Sequence, residues 1–202
     1  MSATNRGGER IASDNYPTPS YAVRRLLELP LVQRLVGAPN LVCLDPCAGE
    51  GSIIRAARPM LDPATKFVGV EIRPECAPSL GRSCTATIGD YLAMPPIRAD
   101  LIITNPPFSR AQKFIEKSIA ECPLSFYLLR LNFLGAAKRH EFWKAHMPWA
   151  VFVLPNRPSF DPAKPGGTDA TEYAWFAFTD KKNVCSELHV LGLTSREERS
   201  IG

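Results

Sequence analysis

Asp45-Pro46-Cys47-Ala48-Gly49-Glu50-Gly51-Ser52 is the stretch on which the fold turns. A short apolar run, 41–44, leads into it. Ser52-Ile53-Ile54-Arg55-Ala56-Ala57 follows, begins as a helix and is closed near Pro59. Between a buried strand and a helix, glycines let the backbone turn tightly and approach a ligand closely. Glu71 stands twenty residues beyond Gly51, at the end of the next apolar run, 66–72. A carboxylate at that place can accept both hydroxyls of a ribose. A lone Gly-x-Gly says little. Strand, turn, helix and a second strand ending near an acid, in that order, say much more.

The pattern repeats outward along the chain. Residues 85–90 form a weaker third run and 99–105 a strong fourth. Residues 110–122 have helical periodicity and stop before Pro123. A fifth strand is expected at 125–133, a helix at 136–146, and late strands at 150–155 and 172–179. Continuous apolar runs, rather than alternation, mark strands covered on both faces. Repeated strand–helix units predict a doubly wound α/β fold with a mostly parallel sheet. The last two runs have no helix between them, so they should pair as an antiparallel hairpin. A single domain over 14–195 is expected, after a flexible start over 1–13 and before a flexible end.

Composition narrows the class. The chain has 202 residues, 45% of them hydrophobic and 22% charged, with a formal net charge of +4. No run approaches the roughly 20 apolar residues of a membrane span. The polar start does not read as a signal peptide, so a cytoplasmic protein is expected. Six cysteines and three histidines show no zinc-type spacing, and the thiols read as reduced and packed as small hydrophobes. No metal is expected.

Two details argue against a dinucleotide at the glycine turn. Arg55 lies near the place of the third fingerprint glycine. Asp45, at the strand tip, would repel a pyrophosphate but suits a cationic ligand. Taken singly, Asp45 also reads as a helix cap, Glu71 as a solvated strand-end charge and Asp90 as a turn acid. Together the segment resembles motif I of amino-methyltransferases, in the variant Asp-Pro-x-x-Gly-x-Gly. That resemblance implies a seven-stranded, Rossmann-like class I methyltransferase with a reversed last strand, and S-adenosylmethionine (SAM) as cofactor. It places the methionine part of SAM on Asp45 and the backbone around Ala48, Gly49 and Gly51, the ribose on Glu71, and the adenine amino group on Asp90, with Pro46 and Asn105 also among the cofactor contacts. Ile72 and Tyr91 would flank that adenine.

Asn105-Pro106-Pro107-Phe108 follows directly on the fourth strand. It resembles motif IV of methyltransferases that act on amino groups conjugated to a ring or carbonyl. The lone pair of such a nitrogen is delocalised, and acceptors on both N–H groups localise it. The resemblance makes the Asn105 side-chain oxygen and the Pro106 carbonyl those acceptors. Proline holds the backbone rigid, and Phe108 would stack on the target ring. Without the resemblance, the tetrad is a rigid turn after a strand. Tyr16-Pro17-Thr18-Pro19 resembles motif X of DNA adenine methyltransferases, so Tyr16 and Thr18 would touch the cofactor. Thr18 also fits as a helix N-cap with Pro19 first in the helix. The resemblance covers about 14–135.

What it implies about the target is adenine N6 in DNA. RNA adenine or guanine, a protein glutamine, and a non-catalytic SAM- or nucleic-acid-binding subunit are the alternatives. A duplex target requires base flipping. Residues 156–171 are the expected recognition loop, with Arg157 on phosphate or base, Phe160 lining the base pocket and Lys164 adding attraction. A solvated hairpin loop is the plainer reading. Arg110, Lys113, Lys138 and Arg139 are expected either on a phosphate-facing surface or on solvated helix faces. Expected partners are nucleic acid and either a second copy or a recognition subunit.

Overall fold

The computed structural model describes residues 17–160, 167–180 and 186–200. In chain order they form α1 (Ser20–Leu27), α2 (Pro30–Val36), β1 (Val42–Asp45), α3 (Ser52–Ala57), β2 (Lys66–Glu71), α4 (Ala77–Gly81), β3 (Thr85–Ile88), β4 (Leu101–Thr104) and α5 (Ala111–Ile119). There follow β5 (Leu124–Arg130), α6 (His140–Ala145), β6 (Ala150–Val153), β7 (Tyr173–Thr179), β8 (Glu187–Val190) and α7 (Arg196–Ser200). The strands make one sheet in the order β3-β2-β1-β4-β5-β7-β6-β8. Only β7 runs against its neighbours; every other pairing is parallel.

Each apolar run expected to be a strand forms one, although the run at 125–133 leaves the sheet after Arg130 and turns as a 3-10 helix over Leu131–Leu134. The central strands are covered on both faces, whereas β3, at the sheet edge, is largely exposed. Along β5, Phe126 and Leu128 enter a core shared with Tyr21, Leu26, Ile53 and Ile54 from α1 and α3. Tyr127 and Leu129 enter the opposite core with Phe114 and Ile115 of α5 and Phe142 of α6. Removing each such large side chain from water is worth roughly 1.5–3 kcal/mol. Trp175 of β7 is fully buried and its indole N–H donates to the Ala22 carbonyl at 2.9 Å, which ties α1 to the sheet.

The chain winds outward in both directions from β1, which has β2 on one side and β4 on the other. α3 lies over one face and α5 over the other. A crevice at the carboxyl ends of β1 and β4 is the geometric consequence. The expected β6–β7 hairpin is present. β8 is an addition: a short edge strand with Leu188 and Val190 exposed, paired in parallel to β6. After β8 comes α7, where Arg25 reaches Glu198 at 2.8 Å, and the Thr194 hydroxyl just before it at 3.2 Å. No described helix is long and apolar enough to cross a membrane.

Candidate active site

β1 carries Asp45 into the crevice, where it is 1% exposed. Its Oδ1 accepts from the Thr104 hydroxyl at 2.7 Å and from the Cys47 amide at 3.1 Å. Its Oδ2 is buried with no hydrogen-bond partner among the described residues. Burial pushes the carboxyl up to about 7, although the bonds from Thr104 and Cys47 pull it down. A cation delivered to Oδ2 would favour the ionised form and oppose that shift.

The glycine turn is pinned to β2. Ala48 N–H donates to the Val70 carbonyl at 2.8 Å, and Gly49 N–H to Glu71 Oε2 at 2.7 Å. Gly49 (φ 54°) and Gly51 (φ 87°) are both left-handed, a region that side chains with a Cβ rarely adopt. Pro46 and Ala48 are buried beside them. Glu71 is 5% exposed, and its Oε1 takes the Arg73 guanidinium at 2.8 Å and the Arg73 amide at 3.1 Å. Ile72 is exposed next to it.

Asp90 ends the third strand run and is also held. Its Oδ1 accepts from the Leu92 amide at 3.0 Å, and Oδ2 pairs with Arg110 at 3.0 Å. Burial alone would raise its pKa, but Arg110 and the Leu92 amide outweigh it and hold the carboxyl below the ordinary value. The expectation that the Tyr91 ring lines the adenine site is corrected. Tyr91 is 1% exposed, stacks on Phe114 and donates to Glu121 at 2.8 Å, so its ring is core.

Thr18 joins the three sequence segments. Its amide donates to Ser52 Oγ at 3.2 Å, and its hydroxyl accepts from Asn105 Nδ2 at 3.1 Å. The expected N-cap role does not hold: Pro19 caps α1, no side chain caps it, and the Thr18 hydroxyl is spent on Asn105. With Nδ2 so engaged, Oδ1 is the Asn105 atom left to accept an N–H. Tyr16 lies outside the described residues.

Pro106 is buried and Pro107 half-buried beyond it. The Phe108 ring lies under the Arg130 guanidinium at 4.7 Å and meets Tyr173 at 5.9 Å between ring centroids. Phe160 packs edge-on against the same Tyr173 at 5.0 Å, so Phe108 and Phe160 belong to one aromatic cluster. Tyr173 donates to Asp169 at 2.8 Å. Burial, more than that bond, pushes the phenol well above its ordinary range. Arg157 is exposed on the loop after β6, whereas Asn156 is structural, accepting from the Thr194 amide at 2.7 Å. Lys164 lies outside the described residues.

The basic residues weighed as a phosphate-facing surface or as solvated helix faces divide. Arg110 is paired with Asp90, and Arg139 turns inward onto the Phe133 carbonyl and ring. Lys113 and Lys138 are exposed. The sequence reading missed Arg73, Arg130 and Tyr173 altogether. Their contacts join residues separated along the chain or differing in orientation, which no periodicity encodes.

No protein-family profile matches the chain, and no curated protein sequence matches it. Solved structures do. A Pyrococcus horikoshii protein provisionally named an RNA methyltransferase matches at 20% identity and a TM-score of 0.59, over 82% of this chain and 86% of its own. The methyltransferase subunit of a type I restriction-modification system from Streptococcus thermophilus matches at 14% identity and a TM-score of 0.67. That match covers 90% of this chain, which spans about half (49%) of the subunit. A dimethyladenosine transferase from Plasmodium falciparum matches at 14% identity and a TM-score of 0.51, over 78% of this chain and 64% of its own. The likeness is one of fold: the mostly parallel sheet is that of the class I, Rossmann-like methyltransferase structures.

Proposed function

We propose that this chain is a SAM-dependent methyltransferase that acts on the N6 amino group of adenine in DNA. The observation that carries the proposal is the path Ser52–Thr18–Asn105. Three segments far apart in sequence, each resembling a different methyltransferase motif, meet through the two polar groups of one threonine.

The crevice fits the cofactor on two counts. The unpaired, buried Oδ2 of Asp45 is a place for an ammonium. The left-handed glycines bring backbone beside it without side-chain bulk. The bound cofactor supplies a methyl group on a sulfonium. The protein's part is to hold the acceptor in line and to shape its charge. Asn105 Oδ1 and the Pro106 carbonyl take the two N–H groups of the adenine amine and localise its lone pair. Thr18 keeps the Asn105 amide turned the right way. Phe108 offers a ring for stacking, and Arg130 already covers one face of it. No strong base is needed, because the methylated ammonium is acidic enough to lose a proton to water.

Adenine in DNA is chosen over other amines because the Thr18 segment resembles motif X of the DNA adenine enzymes. The similar structures are named for both RNA and restriction-modification activity, so RNA is an arm of the test. The experiment is label transfer from SAM to duplex DNA, single-stranded DNA and RNA, with wild type and Asn105→Ala. Label on adenine N6 of DNA that disappears in the variant is the expected result. Transfer to RNA alone reassigns the substrate. No transfer to any nucleic acid, with cofactor binding intact, ends the adenine reading.

A further inference from the structure

A recess of about 430 Å³ opens between α3 and α4, lined by Arg55, Arg58, Ser79, Arg82 and Ser83, none of which is among the residues that hold the crevice described above. Its side chains are three guanidinium groups and two hydroxyls. No carboxylate lines it, and no described ion pair engages any of the three arginines. Arg25, Arg73 and Arg110, by contrast, each hold a carboxylate. Three like charges around one hollow repel one another unless an anion joins them.

Two of the guanidinium groups are already fixed. Arg58 lies 4.5 Å over the Phe67 ring and donates to the Ser83 carbonyl. Arg55 donates to the Glu50 carbonyl. Arg82 reaches Ser79 Oγ at 3.5 Å. Each guanidinium has five N–H donors, so most remain free for a ligand. A donor-rich, positively charged lining with fixed forks is complementary to a phosphate oxyanion. The three arginines are exposed, so the hollow receives a group presented from outside rather than an engulfed molecule. It also adjoins the glycine turn: a Cβ on Gly51 would lie 3.2 Å from Ser83 and 3.5 Å from Arg55 Nη1.

We infer that this recess binds a backbone phosphate of the nucleic-acid strand, as an anchor separate from the base pocket. The inference rests on the nucleic-acid part of the preceding proposal. It is tested by the anisotropy of a labelled oligonucleotide titrated at several KCl concentrations. The variants are Arg55→Ala/Arg58→Ala/Arg82→Ala and a control of equal charge, Arg34→Ala/Arg98→Ala/Arg196→Ala. Because Arg58 also covers Phe67, a second recess variant, Arg55→Gln/Arg82→Gln, leaves it in place. Both recess variants should bind roughly tenfold more weakly at every sequence, with the slope of log K against log salt reduced by about 1. The control should keep the wild-type slope. Recess variants that behave like the control overturn the inference. So does inorganic pyrophosphate, at constant ionic strength, displacing the strand as well per phosphate as a competing oligonucleotide, for the recess is then a small-anion site. Wild type that binds and methylates DNA while the recess variants bind unchanged removes this inference alone. Wild type without affinity for any nucleic acid removes it together with the proposal beneath it.

Discussion

The two halves of the crevice are built differently. At the ends of β1 and β4, Asp45 is buried with one oxygen unpaired, and Asn105 is oriented by Thr18. At the ends of β2 and β3, Glu71 and Asp90 are each held by a guanidinium of this chain, Arg73 and Arg110. In the first half a cation relieves a cost the fold has already incurred. In the second half a ligand must share or exchange a partner that is already there. Affinity for a cofactor should therefore come mainly from the Asp45 half, and the Arg-held half should mostly tune it.

Removing the target acceptor is the harshest test. Asn105→Ala should lower methyl transfer roughly 10²–10³-fold, the cost of losing one aligned group in a transition state. Calorimetric binding of S-adenosylhomocysteine should stay within a few-fold. Loss of both together would move Asn105 from the target to the cofactor. Asp45→Asn should weaken S-adenosylhomocysteine on the order of 100-fold, as befits a lost charge-assisted bond in a buried site. Wild-type affinity should also fall by about tenfold for each pH unit below about 7, because an ammonium requires the ionised carboxylate. A flat profile between pH 5 and 8 would detach the ligand from Asp45.

The same carboxyl makes a prediction about stability. The folded chain keeps the Asp45 proton up to about pH 7, whereas the unfolded chain releases it near the ordinary aspartate value. Stability contributed by that proton is therefore complete at low pH and lost as pH rises through 7. Ligand-free Asp45→Asn should melt above wild type at pH 8 and level with it near pH 4. Equal melting temperatures at both would mean that Asp45 is not the buried acid described. Thr18→Val should cost roughly tenfold in transfer rate and leave S-adenosylhomocysteine affinity alone, since it removes one hydrogen bond that acts through Asn105. The smallest effect is expected in the other half. Arg110→Ala frees a partly exposed carboxylate and should change cofactor affinity only about two- to three-fold. A change as large as that from Asp45→Asn would erase the contrast between the halves.

The sheet was legible wherever burial on both faces made a strand continuously apolar, as in β4, β5 and β7. β8 was not, because an edge strand needs no such run: Glu187 and His189 sit among exposed Leu188 and Val190. α4 was hidden by Pro78 and Gly81 within five residues. Among the site residues, Asp45, Gly49, Gly51, Glu71 and Asn105 stand at the strand ends and turns where their order in the chain placed them. Tyr91 was misplaced because a tyrosine beside a strand-end acid reads alike whether its ring faces the crevice or the core.

Sequence alone placed Asp45 and Glu71 at strand ends and Asn105 just beyond one, since that follows from local apolar runs and from the backbone freedom of glycine and proline. Tertiary structure decided which polar groups meet. Thr18 reaches Asn105 across 87 positions, and Trp175 reaches Ala22 across 153. Such pairs are selected by which elements the sheet brings side by side, and by the cost of leaving a buried donor or acceptor without a partner. That cost depends on the burial the assembled fold imposes, and among the buried side-chain atoms described at this site it is left unmet at Oδ2 of Asp45.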